Sequence, residues 1–266
     1  MKKWIFIGLG AIIVIAVVVV YVGLSNLGPI IKKAINTYGP KITKTELHVA
    51  DVGVSILSAE AEVEAFFLGN PQGFKSPSAM KVGSVFVNVD EKSLTGNTII
   101  IERVEVKKPE IYYEKKGKTD NFKALLNNVK KSAASEKKST DAGKEKGGGK
   151  KLIINDFILT QGKVNLAMSV YGLGDKEIEV ALPDIHLKDI GKKKGGATAA
   201  EVSKIIVDAL YGQITSPAVT NALNQELKAF GASLDSVGKK TLKQVGDTTG
   251  KALEDAGKKV KGLLGD

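Results

Sequence analysis

The chain contains two histidines, and each has carboxylates close by in the sequence. His48 lies three residues before Asp51, and His186 lies between Asp184 and Asp189. Such groupings could support general acid–base catalysis or hold a metal ion. Neither histidine has a plausible second ligand or a partnered serine motif nearby in the sequence. Both are therefore interpreted as surface residues on strands.

Other patterns that could carry chemistry are incomplete. Residues 117–119 (GKT) resemble the end of a phosphate-binding loop, but Tyr112 stands where that motif needs its first glycine. Glu60, Glu62 and Glu64 alternate along one face of a strand, which is typical of a solvated surface. Cysteine is absent, and so is the D-x-D-x-D-G pattern of a calcium loop. The sequence therefore predicts no enzyme, no metal site and no cofactor.

The positive charge of the chain is concentrated in one segment. The net charge is +10, and residues 115–151 contain twelve lysines against four acidic residues. Arg103 is the only arginine. Base readout and bidentate phosphate recognition depend on arginine, so the composition argues against nucleic-acid binding. A solvated, lysine-rich linker is the expected structure of this segment.

The N-terminus carries an apolar run long enough to cross a bilayer. Residues 5–24 contain no charge, and at about 1.5 Å per residue a helix of this length spans roughly 30 Å. Trp4 and Tyr21 stand near its ends, where aromatic side chains favour the membrane interface. A cleaved signal peptide is the alternative, with residues 21–23 as a poor cleavage site. We expect a retained anchor, with its N-terminus in the cytoplasm and the body on the other side.

Beyond residue 45 the hydrophobic pattern has a period of two, which is typical of half-buried strands. In residues 58–66, Ala59, Ala61, Val63 and Ala65 are expected to share one face. Two later strands offer apolar faces whose residues are candidates for contact with acyl chains: Val85, Val87, Val89, Ile100, Val104 and Val106. Such faces either close on each other as a core or line an open groove.

A turn is expected at the motif "GNPQGF". Pro71 lacks a backbone donor and Gly73 tolerates a left-handed conformation, so the stretch ends one strand and leads to the next. The turn residues Asn70, Pro71, Gly73 and Phe74 are assigned a structural role, not a binding role.

Two segments of the chain can be aligned as strand, polar break and strand. They are "IIIERVEVKKPEIYYE", which starts at Ile99, and "LIINDFILTQGKVNLAM", which starts at Leu152. The similarity is weak, but it indicates two copies of one hairpin-based unit.

From residue 198 onward the pattern becomes helical, with one helix at 198–214 and a second from Pro217 to Gly231. In the tail, a thin apolar stripe is interrupted by six glycines, so a helix there would need a membrane or the protein's own domain as partner; disorder is the alternative.

The predicted fold class is mainly β with α. It comprises an N-terminal transmembrane helix, an antiparallel, curved and groove-like β domain, and C-terminal amphipathic helices. The domains are expected at 1–28 for the anchor, 29–195 for the β domain and 196–266 for the helical region. Residues 116–151 are expected to form a disordered, lysine-rich loop within the β domain.

The order of these elements resembles the AsmA-like proteins of Gram-negative envelopes. The resemblance covers roughly residues 1–190 and rests on four features. These are the single N-terminal span, the strand ending in Gly69-Asn70-Pro71-x-Gly73-Phe74, the valine-rich strand 82–89, and "VKKPEIYYE" followed by Asn121 with "LLNNV".

The resemblance implies an inner-membrane protein with a single span and a periplasmic body. It also implies a β-sheet groove linked to phospholipid transport or outer-membrane biogenesis. The expected partners are inner-membrane phospholipid and, because the chain is short for that family, an envelope protein or a second copy of itself.

The Asn-Pro turns between alternating strands are also similar to the water-stress and hypersensitive-response β-sandwich of late-embryogenesis proteins. The lysine-, glycine-, threonine- and alanine-rich tail is like that of other desiccation proteins. This second resemblance implies a membrane-anchored, stress-protective or structural module instead of a lipid carrier.

Overall fold

The computed structural model describes residues 27–141, 150–170 and 174–245. Most of the predicted anchor and the end of the glycine-rich tail lie outside these ranges. Within them, no helix has both the length and the apolar character needed to cross a membrane. The described residues form a mixed α/β structure in which several helices pack on a curled, half-barrel sheet.

The sheet has ten strands, and a separate two-stranded hairpin lies beside it. The sheet strands are β1 (Leu47–His48), β2 (Asp51–Ser55), β3 (Glu60–Leu68), β4 (Met80–Val89), β5 (Thr98–Lys107), β6 (Glu110–Tyr113), β9 (Lys151–Thr160), β10 (Gly162–Val170), β11 (Gly174–Leu182) and β12 (Ile185–Ile190). The hairpin strands are β7 (Lys115–Lys116) and β8 (Thr119–Asp120).

Several of these strands continue one another across a short break. β5 and β6 pair with β4 in one register, and β9 and β10 pair with β5 and β6 in one register. β1 continues into β2, and β11 into β12, in the same way. The sheet therefore consists of six long strands that lie side by side in their chain order.

The sheet is not wholly antiparallel, contrary to the prediction. β5 pairs with β9, and β6 with β10, in parallel. This pairing aligns Ile99 with Leu152, so the two segments that resemble each other in sequence are neighbours in register. The parallel arrangement follows from the long connection between them, because parallel strands need a crossover and a short hairpin turn cannot supply one.

A line of backbone breaks, which we call the crease, crosses the sheet at one level. Ala65 lies opposite Gly83, because their neighbours Glu64–Ser84 and Phe66–Val82 are paired. Lys108 and Gln161 lie at the same level on the next two strands, and Pro183 follows on the last. Ala65, Lys108 and Gln161 all have left-handed backbones, with φ of 48°, 52° and 57°. Irregularities of this kind bend strands and increase their twist.

The crease changes which residues face the interior. On β3, Ala61 and Val63 occupy the inward positions before it, and Phe66 and Leu68 face inward after it. Ala65, predicted to share a face with Ala61 and Val63, is instead exposed. A left-handed residue shifts the alternation by one position, so strict period two holds only on either side of the break.

The two ends of the sheet are closed by different turns. The corner end contains the 69–79 connection and the β7–β8 hairpin. The tip end contains the β2–β3 turn at 56–59 and two 3₁₀ turns, Glu91–Thr95 and Lys192–Lys194.

Four helices accompany the sheet: α1 (Leu27–Thr43), α2 (Asn121–Asp141), α3 (Ala199–Ile214) and α4 (Pro217–Val245). α2 corrects the expectation of a disordered loop at 116–151, of which residues 142–149 lie outside the described ranges. α4 continues past Gly231, where the second helix was predicted to end. α3 begins with a capping box between Thr198 and Glu201, which agrees with the predicted start.

The helices cover part of the interior face. α1 runs beside β2 and β1 toward the corner end, with Gly28 against the backbone of Val52 and Asn36 bonded to Val49. α3 packs over β9 and β12, and α4 packs over β11. α2 bridges α1 and α3 at the corner end: Asn128 donates to the carbonyl of Thr43. Side chains from α2, α3, α4 and the sheet share one core, so the described C-terminal helices belong to the β domain.

The parallel register can be tested by crosslinking, because the chain has no native cysteine. Arg103 and Asp156 are direct neighbours across β5 and β9. We expect the double variant Arg103→Cys with Asp156→Cys to form a disulfide on mild oxidation, since adjacent strands lie within disulfide reach. The control pairs Arg103→Cys with Ile158→Cys, whose actual neighbour is Glu105. Equal crosslinking of both pairs, measured by mass spectrometry of peptides, would contradict this register.

Candidate functional site

The interior face of the sheet consists of rows of apolar residues that each cross all six long strands. The corner row is Leu47, Leu68, Met80, Ile111, Val164 and Val180. The middle row is Val52, Val63, Val85, Val106, Leu159 and Ile185. The tip row is Val54, Ala61, Val87, Val104, Phe157 and Leu187. Every member is apolar, as a surface removed from water requires.

Four of the six predicted acyl-contact residues belong to these rows. Val85 and Val106 are in the middle row, and Val87 and Val104 are in the tip row. Val89 pairs with Ile101 in a shorter row that continues through Ile154 and Ile190.

Ile100 is separated from the other candidates. It is half-buried, whereas its neighbour Ile101 packs against the core together with Val104 and Val106. The reason is a register shift between Asn88 and Val89, which leaves Glu102 between the paired residues Ile101 and Arg103. The sequence alternation alone does not reveal this extra residue.

Burial along the face is uneven. The outer strands are covered: Val52 lies under α1, and Phe157, Leu159 and Ile185 belong to the core beneath α3. In the corner row, Leu68, Ile111 and Val164 are buried as well. The tip row differs, since every member except Phe157 is only half-buried.

On β3, β4 and β5, the half-buried residues of the middle and tip rows form a continuous patch, which we call the central strip. Its members are Ala61, Val63, Val85, Val87 and Val104. The strip lies between α1 on one side and α3 on the other, and α2 closes the interior at the corner end. The interior is therefore a packed core near the corner and a partly uncovered apolar surface toward the tips.

The predicted turn residues hold the corner end together. Residues 71–74 form a turn with Gly73 at a φ of 96°, and the N–H of Phe74 bonds to the carbonyl of Pro71 at 3.4 Å. The side chain of Asn70 donates to the backbone carbonyl and hydroxyl of Ser76, at 2.8 and 2.9 Å. The turn is therefore tied to the chain that leads into β4.

Asn121 is the centre of the polar contacts at this corner, and it is fully buried. Its amide donates to the side-chain oxygen of Asn70 at 2.8 Å and to the carbonyl of Tyr112 at 2.6 Å. Its oxygen accepts from the backbone N–H of Glu114 at 3.0 Å and of Phe122 at 3.1 Å. One side chain thus joins the turn, the end of β6 and the start of α2.

A second polar group lies at the start of α2. Asp120 is buried and caps the helix by accepting from the N–H of Lys123 at 2.7 Å. Its other oxygen accepts from the hydroxyl of Tyr211 on α3 at 3.3 Å. Burial, followed by the negative charge of Asp120, raises the pKa of Tyr113 and of Tyr211. Both tyrosines therefore stay neutral donors near neutral pH.

The two histidines lie on the outer side of the sheet. His48 stacks on Phe67 with ring centroids 4.8 Å apart, and its Nδ1 lies 3.2 Å from Glu46. The Nε2 atom of His186 lies 2.6 Å from a carboxylate oxygen of Asp156, a partner that the sequence did not suggest. This hydrogen bond lowers the pKa of Asp156. Asp184 and Asp189, which flank His186 in the sequence, are not part of this pair.

The surroundings of His186 in the described ranges do not form a metal site. A pocket of about 560 Å³ lies between β12 and the end of α3, lined by His186 together with Asp184, Gln213 and Ser216. No group of three or more histidine, aspartate or glutamate side chains in the described part of the chain could hold a metal ion. The His186–Asp156 pair is a cross-strand contact on neighbouring strands.

Comparison with known proteins adds no assignment, because no protein-family model and no curated protein matches the chain.

Loss of the Asn121 amide should destabilise the fold. Asn121→Ala removes the four hydrogen bonds of a fully buried amide, and a buried polar group that loses its partner costs about 1–3 kcal/mol. We expect the free energy of unfolding to fall by about 3 kcal/mol, measured by urea denaturation. The matched control is Asn127→Ala on the same helix, because Asn127 is exposed. Similar stability of the two variants would contradict a central role for Asn121.

Proposed function

We propose that the protein is a membrane-tethered, non-enzymatic lipid-handling protein whose central strip contacts the acyl chains of phospholipid. The observation that carries this proposal is the central strip itself. It is apolar across three strands, yet it is only half-buried between helices that cover the strands on either side. Apolar surface that the fold leaves in contact with solvent favours binding of an apolar ligand.

The shape of the interior supports an elongated ligand. The middle and tip rows run across neighbouring strands, so apolar side chains succeed one another about every 4.8 Å across the sheet. Polar residues are directed to the other face, as in the row Glu60, Asn88, Arg103, Asp156 and Lys188. A hydrocarbon chain would therefore meet no charge along the strip.

The N-terminal sequence supports attachment to a membrane. Residues 5–24 are apolar and uncharged, and they precede α1 by only a few residues. With the AsmA-like order of elements, this supports an inner-membrane location with the body in the periplasm. A role in phospholipid transport or outer-membrane biogenesis would follow from that location, with an envelope protein or a second copy as partner.

Lipid occupancy can be tested with two variants of β4. Val87 and Asn88 are adjacent and both half-buried, but their side chains belong to opposite faces of the sheet. Native mass spectrometry of the detergent-extracted chain should show bound phospholipid in the wild type. We expect Val87→Lys to reduce occupancy by about tenfold or more, because a charge placed against hydrocarbon is costly. Asn88→Lys should retain the lipid.

The thermal midpoints of both variants show whether they are folded. If Val87→Lys does not fold, Val87→Asn replaces it, since that side chain is polar but uncharged. A wild-type chain without lipid, or equal occupancy in the Val87 and Asn88 variants, would refute the proposal.

A further inference from the structure

Three exposed apolar side chains lie in the turns at the tip end of the sheet. Seven large hydrophobic residues in the described ranges are exposed, and the three at the tips are Ile56, Leu57 and Leu94. Leu57 is the extreme case, with 102% relative exposure at the apex of the β2–β3 turn. Leu94 projects from the neighbouring 3₁₀ turn at 47%.

The same end is strongly basic. The segments that form it are 56–59, 90–97, 150–151 and 191–197, and together they contain six lysines and two acidic residues. Lys192 and Lys194 pair with Asp189 and Glu201, at 2.7 and 3.9 Å. Lys92, Lys151 and Lys193 are exposed and make no ion pair within the described residues.

The corner end has a different surface. Its connections, 69–79 and 114–120, contain four lysines and two acidic residues, and none of the seven exposed hydrophobic residues belongs to them. The combination of apolar apices and surrounding lysines is therefore a property of the tips.

α1 is directed from the middle of the sheet toward the corner end. Gly28 lies against the carbonyl of Val52, while Asn36 reaches Val49 and Gly39 approaches Leu47. The N-terminal end of α1 is therefore the end directed toward the tips. In the sequence, the apolar run ends at Leu24, three residues before α1 begins.

We propose that the tip end docks on an anionic phospholipid bilayer, with Leu57 and Leu94 inserted among the acyl chains and the surrounding lysines at the headgroups. Lysine is attracted to an anionic surface, and exposed leucine is stabilised by leaving water. Docking in this way would direct the uncovered end of the central strip toward the bilayer. The proposal rests on the membrane attachment proposed above, but not on lipid binding by the strip.

The test uses the full chain with a single reporter cysteine. Ser58→Cys lies beside Leu57, and Gln72→Cys lies in the turn at the corner end; both residues are exposed. Each variant is labelled with a polarity-sensitive thiol fluorophore and reconstituted into two kinds of vesicle. One is phosphatidylcholine alone, and the other is phosphatidylcholine mixed with phosphatidylglycerol.

We expect the label at residue 58 to shift to the blue in anionic vesicles and to be quenched by lipids carrying nitroxide on their chains. The label at residue 72 should show neither effect. A triple variant is made in the chain that carries the reporter at residue 58: Lys92→Gln, Lys151→Gln and Lys193→Gln. We expect these changes together to lower the inserted fraction by about tenfold or more. The matched control is Lys75→Gln with Lys115→Gln and Lys118→Gln at the corner, which should have little effect.

Equal responses at residues 58 and 72, or a label at 58 that remains in water, would overturn the proposal. Insertion that is the same in neutral and anionic vesicles, and insensitive to the lysine changes, would also overturn it. A blue shift without quenching by the nitroxide lipids would indicate a second copy of the chain at the tips and exclude bilayer insertion. Insertion at residue 58 combined with unchanged occupancy in Val87→Lys would support docking and reject lipid binding by the strip.

Discussion

The crease determines the form of this protein more than any single contact. Ala65, Lys108 and Gln161 adopt left-handed backbones on three of the six long strands, at one level of the sheet. Such conformations cost roughly 1 kcal/mol or more per non-glycine residue, so the surrounding structure has to compensate for them. These breaks lie at one level of a sheet that is curled, with helices on its inner side. The apolar rows remain continuous because all strands change their alternation together.

The crease also explains where the sequence was a good guide and where it was not. Alternation correctly placed Ala61 with Val63, and the helical pattern from residue 198 agrees with the start of α3. The prediction from alternation was wrong for Ala65, because one left-handed residue reverses the alternation beyond it. The predicted face of Ile100 was wrong for a similar reason, since no residue type marks the irregular pairing around Glu102.

Tertiary contacts account for the other differences. The composition of residues 121–141 is polar and lysine-rich, yet Asn121 and Asp120 fix the start of α2, and its buried side chains join the core. The parallel pairing of β5 with β9 depends on the helix that separates them, so it could not be read from either strand alone. The turn at Asn70 was identifiable because proline and glycine limit the backbone directly. The contact of Asn70 with the buried Asn121, 51 residues away, could not be identified in this way.

The in-register pairing of Ile99 with Leu152 has a consequence for how such a chain could grow. After 53 residues the chain returns to the same level of the sheet, one strand position further along, again with apolar side chains directed inward. Duplication of one such unit would add a strand to every row without altering those already present. The width of the apolar surface would therefore depend on the number of such units. Chains with different numbers of units could share one cross-section and differ in the area of their apolar surface.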